Sequence, residues 1–175
     1  MKQGERGFSY VDLLVAVAIM ALISWAAAAA TFQVFKGTEH NSNHLTAVRQ
    51  VQNAGYWITH DAQMAQTVIA DNLTPPDFLI LSWREEGSGD TYQITYTLEN
   101  MPGSNMKKLM RNQRIRGKGT TTTFVARYIE PEGQKTKCEF DPVSGTLTLT
   151  ITATVGTGSA AESETRIYKV TPRPS

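Results

Sequence analysis

The hydrophobic pattern changes character twice along the chain. Residues 13–32, LLVAVAIMALISWAAAAATF, carry no charge, and only Ser24 and Thr31 are polar. Ala, Leu and Met favour a helix, and neither Gly nor Pro breaks the run. At about 1.5 Å per residue this stretch spans about 30 Å, the thickness of a bilayer core. A soluble core helix of that length carries a polar stripe, and this one has none. Past Phe35 the run is interrupted at Lys36-Gly37. Leu45, Val48, Val51, Gly55, Ile58, Ala62, Ala65 and Ile69 then recur at steps of three or four, with Arg49, Gln52, Asn53, Gln63 and Gln66 off the stripe. That spacing predicts an amphipathic helix over residues 38–70, ended by Thr74-Pro75-Pro76. If Gly37 only kinks the chain, residues 8 to about 70 form one near-continuous helix.

Beyond residue 77 the period falls to two. Phe78-Leu79-Ile80-Leu81 precedes Trp83, and Tyr92, Ile94, Tyr96 and Leu98 alternate with Gln93, Thr95 and Thr97. In TLTLTITATV, residues 146–155, threonine takes one face while Leu147, Leu149, Ile151, Ala153 and Val155 take the other. Residues 124–129 and 137–140 predict further short strands, and 165–170 closes a hairpin with 146–155. Strands follow one another without intervening helices, so the sheet is expected to be mainly antiparallel. The fold class predicted is α+β: a long N-terminal α-helix, hydrophobic in its first half, packed on a mainly antiparallel β-sheet over residues 78–170.

Composition excludes several classes. The 175 residues suit one globular unit, and 41% hydrophobic with 19% charged excludes a disordered polyelectrolyte and a multi-span membrane protein. Seventeen basic against sixteen acidic side chains give no bulk field for nucleic acid. With Cys138 as the single cysteine, no intramolecular disulfide and no cysteine-based zinc site can form.

The first twelve residues, MKQGERGFSYVD, place Lys2 and Arg6 ahead of the apolar run and Asp12 one turn inside the helix, among apolar residues. Basic residues ahead of the run orient the leader towards the cytoplasm. A carboxylate within such a helix costs about 2.5–3.5 kcal/mol on insertion scales, so it marks a functional residue with a partner. Alternatives remain at this point. Ala26–Ala30 offer A-x-A patterns of an ordinary secretory signal peptide. A plain single-pass anchor in front of a secreted or membrane-tethered binding domain also fits.

The order of basic residue, Gly, aromatic, acid and apolar run resembles the type IV prepilin and pseudopilin family. Arg6-Gly7 closes the leader, Phe8 begins the mature chain, and Asp12 falls at its fifth place. The resemblance implies a leader of residues 1–7, a membrane and filament-core helix of residues 8–35, and a head of residues 36–175. It implies cleavage between Gly7 and Phe8 by a prepilin peptidase, methylation of the Phe8 amine, and pairing of Asp12 with the Phe8 amine of a neighbour. The partners implied are other pilin or pseudopilin subunits, the peptidase, and the cytoplasmic membrane before assembly. The filament then lies outside the cell or in the periplasm. Two departures stand out: Asp12 occupies a place usually held by Glu, and no disulfide-closed loop can form near the C-terminus. Both point to a minor pilin or pseudopilin. Leu109-Met110-Arg111, following a helix with ITHDAQMA, likewise resembles minor pseudopilins of secretion and transformation machineries. Removal of residues 1–7 leaves fifteen basic and fifteen acidic side chains, a neutral subunit suited to a crowded assembly. Ala26–Ala30 would let neighbouring helices approach closely.

Candidate chemistry is sparse. His40 and His44 share metal-ligand spacing but lack an HExxH order, and His60-Asp61 are neighbours that do not face each other on a helix. No G-x-S-x-G, S-x-x-K or phosphate loop occurs, so neither an enzyme nor a cofactor is expected. One cluster stands apart. KKLMRNQRIRGK, residues 107–118, carries Lys107, Lys108, Arg111, Arg114, Arg116 and Lys118 without an acid. On a surface loop or edge strand it would meet an anion: DNA phosphates, as the resemblance implies for some transformation pilins, or acidic neighbours in a filament. The plain alternative is a solvated edge kept from strand pairing by its cations. No aromatic residues interleave the basic ones for base stacking.

Overall fold

The structure, a computed structural model, describes residues 10–131 and 135–173. It divides into two units, Met1–Asn41 and Ser42–Ser175. A single helix, α1 (Tyr10–Met64), supplies residues to both, and Lys36-Gly37 does not break it. Within the first unit its apolar side chains, among them Leu22, Ile23, Trp25, Phe32 and Phe35, lie exposed.

The second unit sets the rest of α1 against a curled antiparallel sheet, the α+β plan expected from the pattern. The strands are β1 (Thr67–Ile69), β2 (Asp77–Arg84), β3 (Thr91–Asn100), β4 (Lys107–Ile115), β5 (Gly119–Ile129), β6 (Lys137–Asp141), β7 (Thr146–Val155) and β8 (Glu162–Val170). Their order is β1-β2-β3-β4-β5-β7-β6, with β8 on β7. β7 takes three partners: β6 along its first half, β5 through Ile129↔Ala153, and β8 along most of its length. The alternation read from residues 146–155 is explained by this place, because Leu147, Leu149, Ile151, Ala153 and Val155 are all buried in the core.

Two expectations are corrected. The amphipathic helix stops at Met64 instead of running to residue 70, and Thr67-Val68-Ile69 pair as β1 with Ile80, Leu81 and Ser82. Three β-branched residues in a row fit a pleated strand better than a helix, and the ladder to β2 decides the matter. The buried helical positions are Ala47, Val51, Ala54, Gly55, Ile58, Asp61 and Ala62, whereas Leu45 is exposed. Most of the basic segment is neither a loop nor an edge: residues 107–115 form β4, which lies inside the sheet between β3 and β5.

Close approach of helix and sheet rests on Gly55. A Cβ at this position would overlap the ring of Tyr168 on β8, and the Tyr168 hydroxyl donates to the Val51 carbonyl at 3.2 Å. At the β7–β8 connection, Asn43 donates from Nδ2 to the Ala160 carbonyl at 2.8 Å. Gly156, with φ +88°, leaves room for that amide.

Candidate functional site

Gly7 and Phe8 lie outside the described residues, so their expected cleavage and methylation have no geometry here. Asp12 stands exposed in the first turn of α1, where a carboxylate is favoured by the helix dipole. The apolar part of α1 contains a stretch long and apolar enough to cross a membrane, none of it buried within the protein.

The six cations of residues 107–118 separate into two groups. Lys107 donates to the Asn100 side-chain carbonyl, Lys108 pairs with Glu99 at 2.8 Å, and Lys118 pairs with Asp90 at 2.5 Å. The hydrogen bond from Lys118 holds the Asp90 carboxyl below the usual carboxylate range, and Asp90 in turn holds the Lys118 ammonium above its own. Arg111 turns inward. Strand alternation puts it on the same face as Leu109, directly opposite Tyr96 of β3. Arg114 and Arg116 are exposed and form no ion pair among the described residues.

Arg111 is matched by an acid that the sequence pattern concealed. Val51, Ala54, Ile58 and Asp61 follow one another along α1 at steps of three or four, so Asp61 occupies a place where the buried stripe calls for an apolar side chain. Its carboxylate accepts from Arg111 Nε at 2.6 Å and Nη2 at 3.0 Å. The Tyr96 hydroxyl donates to the same carboxylate, and Arg111 Nη1 donates to Gln113 Oε1 at 2.8 Å. The Arg111 guanidinium also lies 5.1 Å from the centre of the Trp57 ring. Burial pushes the Tyr96 hydroxyl far above the ordinary phenol range, and the Asp61 charge adds to the push. Burial opposes the Arg111 charge, but the hydrogen bonds and charge of Asp61 outweigh it and keep the guanidinium above its ordinary value. The cluster is a buried clamp between helix and sheet. His60, the neighbour of Asp61 in sequence, takes no part in it and stacks on Tyr56.

Arg114 and Arg116 border a recess of about 290 Å³ with Thr91, Gln93 and Gly117. Gln93 lies opposite Arg114 in the β3–β4 ladder, and the Arg116 backbone N–H donates to the Thr91 carbonyl at 3.1 Å. The β4–β5 turn is thereby fixed beside the recess.

Among the described residues, no group of three or more His, Cys, Asp or Glu side chains is placed to hold a metal ion. Cys138 is buried on β6 opposite Leu149. Comparison with family models, with curated proteins and with solved structures finds no match.

Proposed function

We propose that the chain is a structural subunit of a type IV pilus or pseudopilus, made as a prepilin and assembled through its N-terminal helix. The observation that carries this reading is the combination of an unburied apolar helix, Asp12 in its first turn, and the basic leader ending at Gly7. An apolar surface of that extent needs lipid or other helices around it. Before assembly the cytoplasmic membrane meets that need, and in the filament the helices of neighbouring subunits do.

Cleavage after Gly7 creates an α-amino group at Phe8 in apolar surroundings. The Asp12 carboxylate of an adjacent subunit neutralises it, which fixes register between helices more than it adds stability. The head, residues 36–175, carries the contacts that distinguish this subunit from others. Single, buried Cys138 and the shorter acid Asp12 favour a minor pilin or pseudopilin over the repetitive major subunit.

Shearing and fractionation of cells producing the protein test the proposal. Incorporation into sheared filaments should require the prepilin peptidase and the Asp12 carboxylate. Recovery solely as a membrane-tethered or freely secreted protein, with and without the peptidase, supports an ordinary signal anchor in front of a binding domain and overturns the pilin reading.

A further inference from the structure

Of the six cations in residues 107–118, four are engaged within the fold and two form no ion pair among the described residues. Lys107, Lys108, Arg111 and Lys118 have the partners described above. Arg114 and Arg116 have no acid partner among the described residues, and both line one recess with Thr91 and Gln93. The acids that precede β3 in sequence are already occupied. Asp90 is held by Lys118, and Glu85 accepts from Ser88 and Tyr92.

Arg114 lies near the end of β4 and Arg116 in the turn that follows it, and both residues line the same recess. Two arginines on one recess present two cationic groups to an acidic segment that carries two closely placed carboxylates. Each guanidinium can take one carboxylate through paired N–H donors. Thr91 and Gln93 supply further polar groups at the same recess.

Duplex DNA is the weaker fit. Six phosphate contacts would give a salt slope of about −5.4, but two give only about −1.8, too few to hold DNA firmly at ordinary ionic strength. Trp83 and Tyr92 stack on each other at 5.3 Å, leaving that aromatic pair engaged within the fold.

We infer that Arg114 and Arg116 form a docking site for an acidic segment of a partner protein, one that carries two closely placed carboxylates. The inference does not depend on the pilin reading, since the recess belongs to the head alone.

The test uses the full chain in non-ionic detergent at low ionic strength. Fluorescence anisotropy follows three labelled probes: a peptide containing Glu-Thr-Glu, the same peptide with Gln-Thr-Gln, and a short DNA duplex. The acidic peptide should bind, the glutamine peptide should not, and R114Q/R116Q should weaken binding by about tenfold or more. K169Q, which removes a cation on β8 outside the recess, should leave it unchanged. R114K/R116K, which keeps the charges but not the paired donors, should fall between the wild type and R114Q/R116Q. Equal affinity of wild type and R114Q/R116Q, or equal binding of both peptides, overturns the inference. Tighter binding of the duplex through the same two arginines also overturns it and assigns the recess to nucleic acid.

Discussion

Arg111 meets both carboxylate oxygens of Asp61, tying the centre of β4 to the last turns of α1 across fifty residues of sequence. The Trp57 ring lies over the guanidinium and Tyr96 completes the hydrogen bonding of Asp61. Removing one partner of a buried pair leaves the other charge uncompensated, at a cost of about 3–5 kcal/mol. D61L and R111M should therefore each lower the denaturation midpoint of the head strongly. The double variant D61L/R111M should recover most of the loss. Chemical denaturation followed by tryptophan fluorescence checks this, and additive losses in the double variant would show that the two residues are not coupled.

Tyr96 gives the clamp a pH signature. Its folded-state pKa is raised above its unfolded value near 10, so its contribution is complete below pH 10. Above that pH the unfolded chain ionises first, and stability is lost as pH rises towards the folded pKa. Denaturation midpoints should fall as pH rises above about 10, and Y96F should show a shallower fall. An identical slope in Y96F contradicts the assignment.

Gly55 lets α1 approach β8 closely enough for Tyr168 to cover it. G55A should cost about 1–3 kcal/mol through overpacking, because the nearest atoms belong to a ring anchored by its hydroxyl on Val51. G55A/Y168A should lose less than the sum of the two single variants. Thermal unfolding of the four proteins measures this.

Exposed charges behave differently. Lys118 holds the Asp90 carboxyl below its ordinary value. The contribution is present above the unfolded aspartate pKa and is lost as pH falls through the folded one. A carboxyl-carbon NMR titration should show the Asp90 midpoint rising in K118Q. With both groups on the surface, the effect on stability should be small.

The parts of the fold that obey a simple period were legible in the sequence. Residues 146–155 alternate because β7 has a core on one face, and residues 13–32, which carry no charge, form a helix stretch that the protein itself does not bury. β4 was hidden because Arg111 takes an inward position that an apolar residue would normally fill. Its counterpart, Asp61, breaks the helical stripe in the same way. Neither residue fits the apolar pattern of its own element, and their contact explains both. The end of α1 was obscured because Ala65 and Ile69 continue the helical spacing, while Thr67-Val68-Ile69 pair with β2. The division of the basic segment into engaged and free cations also needed the partners Glu99, Asn100 and Asp90, which lie on or next to β3.

The N-terminal proposal makes a separate demand on Asp12. D12A should reduce incorporation into filaments by more than about tenfold, since an unpaired amine in apolar surroundings costs about 3 kcal/mol. D12E should preserve incorporation. Immunoblots of sheared filaments against membrane fractions compare the variants.

Intact-mass measurement of the protein recovered from its host decides whether the leader is removed after Gly7. A prepilin should be recovered as a mature chain that begins at Phe8 and carries a methyl group on its amine. A chain that keeps Met1, or one that begins near Ala28–Thr31, would contradict the pilin reading.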